Sequence, residues 1–246
     1  MKNFGNLKTM ASLIIGVFFI VSCEKSDVEI ETNQILETEK EEGFKSKTGN
    51  DGEALNNTKE ESVLPVMKMH FGKDVSKEEA MRKFDAAVKT YISKQPVQTK
   101  AFSTEWYYKV WTFTGTQSNN DTDGDVGTYV RFTTSAGAYT SNFNWMDEFW
   151  DDDFEGGWDA FLFKSSFPGR AVEWVEVDNA TLYLEGTDGW FVTDFVIQMA
   201  PDYQTLPATG FSSFWAHPNV WLDNSCSNSC WDSYYTGNIG TGRLNF

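Results

Sequence analysis

The sequence predicts a mostly-β protein. An antiparallel β-sandwich over residues 103–246 is expected, preceded by one amphipathic helix and a disordered tether. Polarity in the C-terminal part alternates with a period of two, as in strands that bury one face. Polar turn pairs separate these runs, and no helical stretch intervenes. Aromatic content points the same way, because all ten tryptophans lie between Trp106 and Trp231.

In chain order, the first element is a leader over residues 1–22. Lys2 and Lys8 are basic, and Leu13 to Val21 form an apolar run too short to span a bilayer as a helix. Ile20-Val21-Ser22-Cys23 resembles the bacterial lipobox, which implies diacylation of Cys23 and cleavage before it. Acyl chains anchor by burying methylenes at about 0.8 kcal/mol each, so several chains hold firmly. The expected location is therefore the cell envelope, anchored to the outer membrane through lipid. The charged stretch Glu24 to Asp27 also resembles surface-export signals of Bacteroidota lipoproteins.

Residues 23–61 are acidic and nearly free of aromatics, so they bury too little apolar surface to offset their ordering entropy and read as a tether. Residues 62–102 read as a helical connector. Ser76-Lys-Glu-Glu79 has the capping-box spacing, and Ala80, Phe84, Ala87, Val88 and Tyr91 recur at helical intervals. The spacing predicts a helix over about residues 77–93, ended near Gln95-Pro96. This segment is net basic, so it is expected to dock on the acidic domain that follows.

Within 103–246, Trp106, Tyr108, Val110 and Thr112 oppose Tyr107, Lys109, Trp111 and Phe113. Val126, Thr128, Val130 and Phe132 share a second face. Phe161 with Phe163, Leu182 with Leu184, and Phe191 with Phe195 and Ile197 supply the others. Turns are expected at Asn119-Asn120, Asp123-Gly124, Gly156-Gly157, Pro168-Gly169 and Asp188-Gly189.

The formal charge is −16, with 36 acids against 20 bases. Such a chain lacks a basic footprint for phosphates, so nucleic acid is excluded as a partner. With Cys23 committed to lipid, Cys226 and Cys230 read as one disulfide closing a small loop in an oxidising compartment. A single C-x₃-C pair with only His70 and His217 elsewhere does not make a zinc set.

The acids cluster in two runs. One is Asp121, Asp123 and Asp125; the other holds Asp147, Asp152, Asp153 and Glu155 just before a glycine turn. Carboxylates alternating in a glycine-containing loop suit calcium, which takes six to eight oxygens in irregular geometry. The alternative is a solvated acidic loop.

Three segments occur in a telling order: Asp121-Thr-Asp-Gly-Asp-Val-Gly-Thr-Tyr-Val-Arg-Phe132, Asp152-Asp-Phe-Glu-Gly156 followed by Trp158-Asp-Ala-Phe161, and Gly189-Trp-Phe-Val-Thr-Asp-Phe-Val-Ile197. The stretch 105–199 resembles the PLAT/LH2 family, a sandwich of two four-stranded sheets. The resemblance implies calcium held by Asp152, Asp153 and Glu155, with Asp147, Asp121, Asp123 and Asp125 as further ligands. It also implies docking onto lipid headgroups or protein partners. The sequence departs from the family at Glu185-Gly-Thr-Asp188, and the tail 201–246 has no family counterpart.

Trp145, Phe149 and Trp150 sit amid acids on an expected loop, where they would contact a membrane, stack on sugar rings, or fold back onto the sandwich. Ser212, Ser213, His217 and Asp223 lack a nucleophile elbow, so no catalytic site is expected. The expected function is a calcium-dependent lipid- or protein-binding module. A glycan-binding module and a structural envelope subunit are the alternatives.

Overall fold

A computed structural model describes residues 62–96, 105–146, 154, 156–186, 188–200, 209–223, 231–238 and 240–246. The leader, the tether, Cys23, Cys226 and Cys230 lie outside these residues.

In chain order the elements are β1 (Met67–Gly72), α1 (Lys77–Ile92), β2 (Glu105–Thr114), β3 (Asp125–Thr134), β4 (Gly137–Thr140), β5 (Asn144–Trp145), β6 (Gly157–Ser166) and β7 (Trp174–Glu185). There follow β8 (Trp190–Ala200), β9 (Thr209–Gly210), β10 (Ser213–Ala216), β11 (Val220–Leu222), β12 (Trp231–Tyr235) and β13 (Leu244–Asn245). All named strand pairs are antiparallel. They form two sheets among the described residues. The first runs β1-β6-β2-β8-β10, with β11 also on β8. The second runs β4-β3-β7-β13-β9, with β12 on β7 and β5 on β3. The expected antiparallel sandwich is the fold.

Alternation explains the inner core. Trp106, Tyr108 and Val110 of β2 and Phe161 and Phe163 of β6 meet Val126, Val130 and Phe132 of β3 and Leu182 and Leu184 of β7. The rings of Trp106 and Tyr108 reach across to Phe132 at 5.4 and 5.1 Å, edge to face. A strand buried on one face only would leave the other residues of β2 wet. Here Tyr107 and Trp111 are buried too, in a second core between the first sheet and α1.

The helix starts where the capping box places it. The Ser76 hydroxyl accepts the amide of Glu79 at 3.3 Å, satisfying one orphan donor of the first turn. Its buried stripe is Ala80, Phe84, Val88 and Ile92, seated on Trp111, Leu162 and Val196. The dock is thus apolar, which corrects the expectation that basic charge draws the helix onto acids. An ion pair between helix and sheet runs the other way. Asp85 of the helix accepts from the buried Lys109 of β2 at 2.5 Å. Among the described residues, no helix is long and apolar enough to cross a membrane.

The connector supplies more than a helix. Met67, Met69 and Phe71 of β1 alternate inward beneath α1, and the strand pairs along β6 from Met67↔Leu162 to Gly72↔Gly157. A second difference concerns β8. Phe191 does not share a face with Phe195 and Ile197; Trp190 and Val192 point inward instead. The cause is a bulge, because Phe113 pairs with Asp194 while Thr114 pairs with Val192. One extra residue shifts the alternation by one and flips each side chain beyond it.

The tail of the chain dresses both sheets. β10 and β11 line up on β8, and β12 and β13 on β7.

A side-chain hydrogen bond crosses the core. The Tyr108 hydroxyl donates to Asn144 Oδ1 at 2.8 Å, tying β2 of the first sheet to β5 of the second. Burial pushes the Tyr108 phenol far above its ordinary range, against the smaller opposing pull of its bonds to Ser141 and Asn144. The folded state therefore keeps a proton that the unfolded chain releases near pH 10. Tyr108 contributes stability below that pH and loses it above, at a limiting slope of about 1.4 kcal/mol per pH unit. Tyr108→Phe is expected to destabilise by about 1–3 kcal/mol at pH 7, because it orphans a buried acceptor. Urea titrations at pH 7 and 10.5 check both parts: the deficit of the variant should shrink at the higher pH.

Candidate functional site

The first acidic run and Phe154, from the middle of the second, lie together at one end of the sandwich. In the first run, polarity alternates in burial: Asp121 and Asp123 are exposed, while Thr122 between them is buried. The Thr122 hydroxyl accepts the amide of Gly124 at 3.0 Å and donates to the carbonyl of Asp188 at 3.3 Å. This pins the turn inward and turns both flanking carboxylates to water. Asp125 opens β3 and is half-buried opposite Glu185 of β7.

Phe154 is the described residue of the second run. Its ring is buried, 4.8 Å from Trp190 and 6.0 Å from Phe161. Its amide donates to the carbonyl of Thr122 at 3.3 Å, so the middle of one acidic run is bonded to the other. Trp190, fully buried, donates its indole N–H to the Thr114 hydroxyl at 2.8 Å and closes the floor of this end. Asp147, Asp152, Asp153 and Glu155, together with Phe149 and Trp150, lie outside the described residues.

Among the described residues, no three His, Cys, Asp or Glu side chains come together as a metal set. Asp121 and Asp123 supply two solvent-facing carboxylates, short of the six to eight oxygens calcium takes. The remaining donors would have to come from the second run.

Trp145 does not stand on a loop. It forms β5, paired through Gly127↔Trp145 to β3, and is half-buried. It belongs to an aromatic row on the outer face of the second sheet. Its ring lies 5.1 Å from Phe143 and 5.9 Å from Trp231, and Phe143 lies 5.0 Å from Tyr129 and 6.0 Å from Tyr183. Gly127 makes the room, since a Cβ there would fall 2.2 Å from the Phe143 ring. A lone glycine in a strand was the available sequence signal for this overlay.

The residues considered for catalysis are occupied separately. Ser212 is fully buried, and its hydroxyl accepts the amide of Val177 at 2.9 Å. His217 Nδ1 stands 2.6 Å from Asp194 Oδ1, the oxygen that also accepts the Trp215 indole N–H at 2.9 Å. Asp223 meets Asp232 through its own amide at 2.8 Å. His70 is not outside the sandwich: it sits on β1 with Nδ1 2.8 Å from Asp159 of β6.

No family model matches this sequence, and no curated protein does. Among solved structures, the chain overlays part of coral 8R-lipoxygenase, described by its calcium activation through a C2-like domain. The identity is 17% and the TM-score 0.35, over 52% of this chain and 16% of that one. It also overlays Clostridium perfringens alpha-toxin from an avian strain, at 13% identity and a TM-score of 0.34, over 61% of this chain and 34% of the toxin. The chain spans well under two thirds of either relative. The sandwich is established by the strand registers and the shared core.

Proposed function

We propose that this chain is a non-catalytic binding module carried on an envelope lipoprotein, and that calcium at the acidic end of the sandwich controls its docking onto lipid headgroups or a protein partner. The observation that carries this reading is the main-chain bond from Phe154 to Thr122, which ties a residue of the second acidic segment to the first. Clustered carboxylates repel one another unless a cation offsets them, so a divalent ion would stabilise the folded state. Asp121 and Asp123 would offer carboxylates from one run, and Asp152, Asp153 and Glu155 from the other. The motif order that resembles PLAT/LH2 domains supports the same ligand set. The separate commitments of Ser212 and His217 support a module that binds and does not catalyse. The acylated Cys23 and the acidic tether would hold the sandwich off the membrane.

Calorimetry with calcium chloride, alongside thermal melts, tests the ion. At a hundred times Kd, calcium should stabilise the fold by about 2.7 kcal/mol through mass action. For a domain of this size that raises Tm by roughly 5–10 °C. Asp153→Asn should remove most of that rise, and Asp121→Asn part of it. No heat and no shift at millimolar calcium sinks the reading. Sedimentation with phosphatidylserine vesicles, with and without EGTA, then separates a lipid ligand from a protein one.

A further inference from the structure

The two broad faces of the sandwich are not equivalent. The outer face of the first sheet is covered by α1, whereas among the described residues no helix packs on that of the second sheet, which carries rings and amides. Cross-strand partners point to the same side of a sheet. The registers therefore place Tyr129, Thr181 and Tyr235 side by side across β3, β7 and β12, with Arg131 beside Asn179 in the next row. At that corner lies a cleft of about 440 Å³ lined by Arg131, Asp178, Asn179, Tyr235, Asn238 and Gly240.

The chemistry of the lining is narrow. Asn238 Oδ1 accepts from the Asn179 amide at 2.9 Å and from the Tyr235 hydroxyl at 3.4 Å, so the amides are held in fixed orientations. Asp178 Oδ2 accepts from the Thr133 hydroxyl at 2.6 Å and stands 3.9 Å from Arg131 Nε. One guanidinium and one carboxylate offset each other, so the cleft offers no net charge to a phosphate or a carboxylate. Among the described residues, no aliphatic side chain lines it for an acyl chain. What remains is a set of oriented donors and acceptors, with Tyr235 57% exposed at the rim. The Tyr129 and Tyr183 rings lie 5.8 Å apart farther along the face. Hydroxyl pairs of a sugar match such amides, and the C–H face of its ring matches an exposed tyrosine.

We propose that this cleft is a carbohydrate-binding site for neutral oligosaccharides, separate from the acidic end. One wall comes from β3 and β7, and the other from β12, Asn238 and Gly240 of the tail that has no counterpart in the family the sequence resembles. It also lies apart from Trp145, the described residue of the stretch expected to meet sugars, which pairs with Gly127.

The test applies the full chain to a printed array of neutral and acidic oligosaccharides, first in calcium and then in EGTA. The best-bound neutral oligosaccharide is then titrated by calorimetry. Tyr235→Ala and Asn179→Ala should each weaken it at least about tenfold. Trp221→Ala, at a residue 48% exposed on the other sheet, should leave it unchanged. Retention in EGTA separates this site from the calcium reading, which stands or falls on its own titration. The proposal is overturned if no neutral oligosaccharide binds, if binding is confined to acidic glycans, if EGTA abolishes it, or if folded Tyr235→Ala and Asn179→Ala proteins bind as before.

Discussion

Replacing Phe84 with alanine is expected to destabilise the protein by about 3–5 kcal/mol, the range for emptying a buried phenylalanine site. The side chain is fully buried midway along α1, and its ring meets Trp111 at 5.0 Å and 74°. Around it stand Ala80 and Val88 of the same helix with Trp111 and Leu162 of the sheet, so little can move in to fill the gap. A 16-residue helix is marginal in isolation and gains most of its stability from its apolar stripe. Losing the central residue should therefore cost helicity as well as cooperativity. Urea unfolding followed at 222 nm and by tryptophan fluorescence checks this. A midpoint shift worth less than about 1 kcal/mol would show that α1 is not part of the cooperative unit.

Gly157→Ala is expected to cost about as much, by a different route. Gly157 opens β6 at φ +144, where residues with a side chain are strained by about 1–3 kcal/mol. A Cβ there would also fall 2.2 Å from the carbonyl oxygen of Phe71, a backbone atom that cannot turn aside. The strand pair β1–β6 must part at that end. The total should reach about 3–5 kcal/mol, at the upper end for single substitutions. Gly72→Ala provides the comparison: it faces Gly157 across the ladder, and its Cβ meets nothing within 4 Å. That variant should be neutral or slightly stabilising. Hydrogen exchange should show the amides of Met67 to Phe71 losing protection in the Gly157 variant alone. Equal protection in both variants would refute the steric argument.

The elements that were legible in the sequence are those whose signal is local. Ser76 and Glu79 mark the start of α1 by themselves, and Trp106, Tyr108 and Val110 mark the inner face of β2 by alternation. β1 was hidden for the opposite reason. Its six residues alternate correctly, but the strand that completes them is β6, about ninety residues on. The burial of Tyr107 and Trp111 depends on that same distant arrangement, because only a docked α1 dries the outer face of β2. Alternation alone puts Phe191 on the wrong face, because a bulge adds one residue to one strand and nothing in the local pattern announces the slip. The described strands of the tail 201–246 carry little local signal, because they are two to five residues long and exist only as additions to β7, β8 or one another. At the acidic end, the two runs were visible as composition. What joins them is a backbone bond at Phe154, which composition does not encode. Trp145 reads as a loop residue in the sequence because its support, the gap over Gly127, lies on another strand.

Val63 links the chain to the second sheet before β1 joins the first. Its amide donates to Phe143 at 2.8 Å, and its carbonyl accepts from Trp145 at 3.0 Å. A pull arriving from the N-terminal side thus strains two bonds at Val63, and next the Val66 amide on Leu162 at 2.8 Å. Only then does it reach the ladder of β1. The first bonds to take load would then be at a rim of the second sheet, next to β5 and its pairing with β3.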